Sequence, residues 1–444
     1  MQQEVPKLCL FPETADIEND HLILGGCDSV ELAATFGTPL YVFDEVTLRR
    51  KCAEFKREFG QRHANTLVIY ACKAFINRTL ALIFKQEGLG LDIVSGGELS
   101  IAQSVAFPPE RVYFHGNNKT AEELQLALEW GIGRIVVDNF HELSLLNELA
   151  QGRGVSQDIL LRLSPEVDPH THRYTTTGIL DSKFGFPVTG QAERAVVEAL
   201  ERSNLNLIGV HFHLGSPIFE VEPYQQAIDI VLDFAAEMKA KHGFKLEEFN
   251  PGGGFAIQYT QDMPAPSVGQ YAEVITSRLL AKSQEHNLPP PRLVVEPGRG
   301  MVGQAGVALY KAGATKDIPG IRKYISVDGG IADNIRPALY GSRYEALVAN
   351  KAGDRQTERV TIAGKFCQSG DILIRDIDLP PVSSGDIIAI PSCGAYCLAM
   401  ASNYNAALKP AIVLVKEGGA RLIRRRETYE DLVRRDLVSK EEVA

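Results

Sequence analysis

TLVIYACK, residues 66–73, is an apolar, β-branched run that stops on a lysine, and the rest of the architecture can be built outward from it. Similar runs follow at intervals: LDIVS at 91–95, RVYFHG at 111–116, RIVVDN at 134–139, ILLRLS at 159–164, LIGVHFH at 207–213, EEFNPG at 247–252 and LVVEPG at 293–298. Between them lie stretches such as AEELQLALEW and YQQAIDIVLDFAAEMKAKHG, whose apolar residues recur at three and four, as in a helix packed on a sheet. Eight alternating units of this kind predict an α/β protein built on a (β/α)8 TIM-type barrel over residues 46–305. A doubly wound sheet lacks its marker, because no G-x-G-x-x-G follows the first run.

Beyond residue 305 the pattern changes to β-rich runs with Gly and Pro punctuation, among them KYISVDGG, RVTIAG, GDIIAI and PAIVLV. They predict a second, C-terminal β-barrel or sandwich domain over 306–444. The strand-like HLILGG and TPLYVFDE place residues 1–45 in that domain as well, since the barrel count is complete without them. A chain of 444 residues has room for both cores. With 46 basic against 56 acidic residues the net charge is −10, and no basic stripe exists to neutralise a phosphate backbone, so nucleic acid is excluded as a partner. The short run Arg424, Arg425, Arg426 is expected to be a solvated face. No window approaches the roughly 18 apolar residues of a membrane helix, and the N-terminus lacks a basic segment followed by an apolar one, so no membrane contact and a cytoplasmic location are expected. Cysteines at 9, 27, 52, 72, 367, 393 and 397 are scattered without C-x-x-C spacing, which predicts reduced thiols and no metal site.

Barrels of this type work at the C-terminal ends of their strands, so those ends carry the chemistry. The first run ends in Lys73, the second in Asp92 followed by Ser95, Gly96 and Gly97, and the third in His115. The sixth ends in His211, Phe212 and His213, followed by Gly215 and Ser216. The seventh leads into Gly252, Gly253 and Gly254, and the eighth into Glu296, Pro297, Gly298 and Arg299. A glycine turn after strand seven exposes backbone N–H groups to an anion without a Cβ in the way, which suits a phosphate. A lysine at the end of an apolar strand is costly to keep charged if buried, and desolvation moves it toward the neutral amine that attacks a carbonyl. Alone, Lys73 reads equally well as a lysine snorkelling to water. Together with a phosphate turn and a carboxylate able to face a ring nitrogen, it points to pyridoxal 5'-phosphate. A carboxylate such as Glu296 keeps that nitrogen protonated and the ring a strong electron sink, which favours decarboxylation over racemisation.

The motifs YACKA (70–74), DIVSGGEL (92–99), FHGNNKT (114–120), DSKFGF (181–186), HFHLGS (211–216), PGGGF (251–255), EPGR (296–299), RPALY (336–340), CQSGD (367–371) and the GAY…MASNYN stretch (394–405) cover nearly the whole chain. In this order they resemble the fold-type III pyridoxal-phosphate decarboxylases, and most closely those acting on diaminopimelate. The resemblance implies decarboxylation of meso-2,6-diaminopimelate to L-lysine and carbon dioxide. It implies that Lys73 carries the cofactor, that His213 stacks on its ring, that Glu296 pairs with the ring nitrogen and that Asp92 adds to the cofactor site. Ser216, Gly252, Gly253, Gly254, Gly298 and Tyr396 are implied to hold the phosphate. Arg299, Arg336 and Tyr340 are implied to grip the substrate's distal carboxylate, a bidentate task suited to guanidinium geometry. A homodimer with active sites shared across its interface is implied too, in which the CQSGD loop serves the partner's site with Cys367 as the catalytic acid. On composition alone Cys367 would read as an inert thiol.

One position departs from the family pattern. Gln368 stands where the family usually has glutamate, so the substrate's distal ammonium loses an anionic partner. Gln368 implies either weaker binding of that ammonium or a substrate with a different distal end. A non-catalytic cofactor-binding relative would keep the barrel but not require Lys73, Glu296 and Cys367 together. A lysine-dependent aldolase would leave HFHLGS and the second domain without a purpose.

Overall fold

The predicted runs form strands at Thr66–Ala71, Gly90–Ile93, Val112–Phe114, Arg134–Val137, Gln157–Ser164, Leu205–His211, Glu248–Asn250 and Arg292–Val295. Each pairs in parallel with its neighbour, and the last returns to the first through Leu293↔Thr66, Val294↔Leu67 and Val295↔Val68, which closes the barrel. A computed structural model describes residues 8–168 and 182–438. By its internal packing the chain divides into two compact units, one of Arg49–Ile257 with Ala265–Met301, the other of Met1–Leu48, Gln258–Pro264 and Val302–Ala444. Residues 258–264, expected within the barrel stretch, group instead with the second unit. There the Gln258 carbonyl accepts from Ser392 Oγ at 3.3 Å, and the Gln261 N–H donates to Glu345 at 2.7 Å.

The barrel interior is a packed layer rather than a pore. Ile69, Tyr113, Val136, Leu160, Ile208 and Val294, drawn from six strands, bury one another there. At the N-terminal ends of the strands the buried Glu248 carboxylate accepts from Tyr113 Oη at 2.9 Å and Arg134 Nη2 at 2.9 Å, and it lies 3.5 Å from Arg292 Nη1. That end is sealed by ion pairs and serves stability, which leaves the opposite mouth for chemistry. Several residues just beyond the strand ends start the next helix: Asn77, Ser95, Thr120 and Asn139 each accept a backbone N–H there as N-caps. Ser95, singled out in the sequence as part of a strand end, thus has a capping bond from Glu98 N–H at 3.3 Å.

In the second unit, Leu40–Asp44 of TPLYVFDE pairs antiparallel with Gly306–Ile318 and parallel with Ala411–Lys416, so the N-terminal segment lies inside the larger sheet, not at its edge. HLILGG supplies His21–Leu24, the middle strand of a separate three-stranded sheet. Leu22, Leu24, Leu40, Val42, Val307, Leu309 and Val413 share one core. The arginine run is less uniform than expected. Arg425 forms a surface pair with Asp431, whereas Arg426 turns back and donates to the Pro39 carbonyl at 2.7 Å. Among the described residues no helix is long and apolar enough to cross a membrane, and their cysteines are free thiols.

Truncating the fully buried Leu160 removes one member of the interior layer. Leu160→Ala is expected to lower unfolding stability by about 2–5 kcal/mol, measured by chemical denaturation. A loss under ~1 kcal/mol would show that this layer does not hold the barrel together.

Candidate functional site

At the C-terminal mouth of the barrel the fully enclosed Glu296 lies one residue past strand eight, with polar groups converging on it. Asn250 Nδ2 donates to its Oε1 at 2.7 Å, His115 Nε2 lies 3.0 Å from the same oxygen, and His211 Nε2 lies 3.4 Å from Oε2. The two imidazoles meet edge to face with centroids 4.8 Å apart, and Asp92 Oδ1 is 3.7 Å from His115 Nε2. Burial alone would raise the pKa of Glu296, but the imidazoles of His115 and His211 outweigh it and hold the carboxyl well below its usual range. Burial pushes His211 down to about 3 against the pull of Glu296, so its ring is neutral at neutral pH. Asp92 is raised, chiefly by burial, with His115 opposing. His115, His211 and Glu296 stand close enough to hold a cation, their ligand atoms all within 4.8 Å of one another.

The glycine turn sits beside this carboxylate. Gly252 adopts φ +76° and Gly254 φ +112°, conformations that favour glycine. A Cβ on Gly253 would lie 2.2 Å from the Glu296 carbonyl, and one on Gly252 would lie 2.6 Å from that of Phe212. The turn is therefore glycine because strands six, seven and eight bring their backbones into near contact. Gly253 N–H donates to His213 Nδ1 at 3.2 Å, and burial, with Lys73 next, keeps His213 well below its ordinary value. Arg299, 6% exposed, directs Nε and Nη2 at Ser216 Oγ, each at 3.3 Å. Gly298 packs where a Cβ would come within 3.1 Å of Ala71 and Ala74.

Lys73 differs from expectation in two ways. The strand stops at Ala71 and Lys73 sits in a 3-10 turn, Cys72–Ala74, behind which Tyr70 Oη donates to the Phe75 carbonyl at 2.5 Å. Its side chain is exposed, so the burial assumed from an apolar strand is not supplied by the chain itself. Its charge still acts on Asp92, Glu98 and His213, which places it at the same mouth. Glu98, passed over in the sequence, is pushed up to about 7, chiefly by burial, although it accepts from the Val94 N–H at 2.7 Å. Asn250 was missed as well; an Asn two residues before a Gly at a strand end is the available signal, since its Oδ1 accepts from the Gly252 N–H at 2.9 Å in an Asx turn. Of DSKFGF, Asp181 lies outside the described residues, while the Gly185 N–H donates to the Asp138 carboxylate at 3.1 Å.

The second unit carries the remaining predicted residues. Arg336 opens the short helix Arg336–Tyr340, is 4% exposed, donates to Tyr344 Oη, and lies over the rings of Tyr259 at 4.7 Å and Tyr344 at 5.4 Å. Tyr340 ends that helix and is half-buried. Cys367 and Gln368 are exposed on a loop anchored by Asp371, whose carboxylate accepts the N–H groups of Ile331 at 2.6 Å and Phe366 at 2.9 Å. A cavity of about 770 Å³ in this unit is lined by Gln368, Pro337, Tyr344 and Arg375. Tyr396 is half-buried with φ 61°.

Pyridoxal phosphate fits the barrel mouth. Asp92 Oδ1, His115 Nε2 and both ring nitrogens of His211 are buried without an aligned hydrogen bond among the described residues. They surround a charged carboxylate suited to a protonated ring nitrogen, and the glycine turn beside it suits a phosphate.

The profile of a family described as "Pyridoxal-dependent decarboxylase, pyridoxal binding domain" matches residues 45–303. A diaminopimelate decarboxylase of Bacillus subtilis (strain 168) is 46% identical over 421 residues, covering 95% of this chain and 96% of that protein. Another, from Halalkalibacterium halodurans, is 44% identical, covering 94% of this chain and 95% of that protein. The crystal structure of a diaminopimelate decarboxylase from m. jannaschii in co-complex with L-lysine superposes with a TM-score of 0.91 at 36% identity, covering 97% of this chain and 99% of that one.

The neutral, buried His211 has a consequence for pH. Its folded pKa of about 3 lies below the unfolded value near 6.5, so below pH 6.5 the unfolded chain binds the extra proton and stability falls as pH drops toward 3. His211→Asn should flatten the loss between pH 6.5 and 4.5 by up to about 1.4 kcal/mol per pH unit, read from denaturation midpoints. An unchanged slope would mean that His211 does not titrate this way.

Proposed function

Because the chain belongs to the pyridoxal-dependent decarboxylases, we propose that it decarboxylates meso-2,6-diaminopimelate, releasing carbon dioxide and L-lysine. The observation that carries the chemistry is the buried, charged Glu296 at the same barrel mouth as Lys73. The substrate rests on the diaminopimelate decarboxylases to which nearly the whole chain is similar.

When bound, pyridoxal phosphate supplies an electron sink for the pair left behind as carbon dioxide departs. The chain's residues do the rest. Lys73 attaches the cofactor, and Glu296 holds a proton on its ring nitrogen. His213 would pack against the ring, with Asp92 at the same mouth. Gly252, Gly253, Gly254, Ser216, Gly298 and Tyr396 receive the phosphate. Arg299, Arg336 and Tyr340 bind the distal carboxylate, and Gln368 accepts from the distal ammonium. Cys367 delivers the proton that replaces the lost carboxyl group. In this scheme two copies form a homodimer in the cytoplasm, and the loop carrying Cys367 and Gln368 serves the partner's site.

A panel of meso-diaminopimelate, its LL isomer, lysine, ornithine and arginine tests the assignment. Turnover of the meso isomer alone, with carbon dioxide and lysine formed in equal amounts, is expected; preference for another member would replace the substrate. Lys73→Ala should lose both turnover and the visible absorbance of bound cofactor, and absorbance that survives dialysis would contradict attachment at Lys73. Mixing the inactive Lys73→Ala and Cys367→Ala variants should restore activity that neither has alone, because one site of a mixed dimer is intact. Failure to restore it, with mixed dimers present by native mass spectrometry, would rule out shared sites.

Gln368 makes a neutral bond where a carboxylate would make a charge-assisted one. Gln368→Glu should raise kcat/KM for meso-diaminopimelate about tenfold, the equivalent of ~1.4 kcal/mol. No gain in steady-state kinetics would remove Gln368 from the distal ammonium.

A further inference from the structure

Asn250 closes strand seven, is fully buried, and bridges two parts of the barrel mouth that the chemistry uses separately. Its Nδ2 donates to Glu296 Oε1 at 2.7 Å, while its Oδ1 accepts from the Gly252 N–H at 2.9 Å. Only one orientation of the amide works. Turned over, it would set its NH2 against an N–H donor and its oxygen against a carboxylate, and both contacts would be repulsive. A second link runs beside it, because the Glu296 N–H donates to the Gly252 carbonyl at 3.0 Å.

We infer that Asn250 is a positioning residue that locks the Glu296 carboxylate to the glycine turn, so that one side chain sets the spacing between the ring-nitrogen partner and the phosphate cradle. The inference rests on the pyridoxal-phosphate reading of this mouth.

Two physical requirements favour an asparagine here. A cofactor that is a rigid ring with a phosphate at one side needs its two anchors fixed to within about 0.5 Å. The tie must also leave Glu296 its charge, since a lysine or arginine would neutralise the carboxylate that the ring nitrogen needs, and an aspartate would repel it. An amide donates to the carboxylate without cancelling it. His115 and His211 crowd the same two oxygens at 3.0 and 3.4 Å, but neither reaches the glycine turn in the way Asn250 does, where His213 takes only the Gly253 N–H.

The test compares wild type, Asn250→Asp and Asn250→Ala, each folded by circular dichroism and loaded with pyridoxal phosphate. Two quantities are read: the dissociation constant of the cofactor and the pH dependence of its bound absorbance. Asn250→Asp keeps the acceptor for Gly252 but sets a second carboxylate against Glu296. Carboxylates this close do not both stay ionised cheaply. The absorbance profile should therefore move by about one pH unit or more, while affinity falls less than in Asn250→Ala because the Gly252 bond remains. Asn250→Ala loses both bonds, and its affinity should fall about tenfold or more. Equal weakening in the two variants with an unshifted profile would reduce Asn250 to a packing residue. If Asn250→Ala does not fold, the isosteric Asn250→Asp decides alone, and an unshifted profile overturns the inference. Wild-type protein that takes up no pyridoxal phosphate overturns the underlying reading as well, whereas normal uptake with unshifted variants overturns only the role of Asn250.

Discussion

Closure of the barrel is the constraint on which everything else depends. The pairing of Arg292–Val295 with Thr66–Ala71 brings the end of the eighth strand beside the end of the first. Because all eight strands are parallel, their C-terminal ends open on one side, so the residues that follow them gather at one mouth. The filled interior layer of Tyr113, Leu160 and their neighbours separates that mouth from the Glu248 ion-pair cluster at the opposite end. The chemistry is thereby confined to the residues at the strand ends and just past them, Glu296, His115, His211 and the glycine turn among them.

A buried carboxylate is expensive, and the barrel offsets that cost with the Asn250 amide and the facing imidazoles of His115 and His211. Asn250 and two imidazoles face Glu296, and burial keeps His211 neutral. The result is a fixed negative charge in a low-dielectric pocket, where a protonated ring nitrogen interacts far more strongly than in water. At the other end of the barrel Glu248 meets Arg134 and Arg292, a neutralised cluster that contributes to stability without being poised for a ligand. The same residue type thus serves opposite purposes, depending on whether a basic side chain cancels its charge.

In the second unit Arg336, proposed above to bind the distal carboxylate, is held in a buried place. Arg336 is stacked among Tyr259 and Tyr344, which desolvate and orient the guanidinium, and among the described residues no carboxylate pairs with it. Asp371, read in the sequence only as part of a motif, anchors the loop by taking backbone N–H groups from two sides, and so presents Cys367 and Gln368 at the surface.

Much of this was legible in the residues alone. Hydrophobic periodicity is local, so the eight strands and the β-rich unit could be read from runs of β-branched residues and their spacing, and the glycines and polar residues at the strand ends marked the mouth. The position of Lys73 was not legible in detail, because the turn at Cys72–Ala74 ends the strand early and leaves the side chain exposed. Nor was the placement of Leu40–Asp44 within the larger sheet, which depends on partners at Gly306–Ile318 and Ala411–Lys416. Asn250 was hidden for the same reason, since its partner Glu296 follows the next strand, after an intervening helix. The sequence by itself determined which elements form and which residue types stand at their ends, because those follow from short-range pattern. Only the tertiary structure decided which of those end residues touch, which charges stay uncancelled and which side chain ties two strands together, because hydrogen bonds and burial are set by barrel closure between segments far apart in the chain.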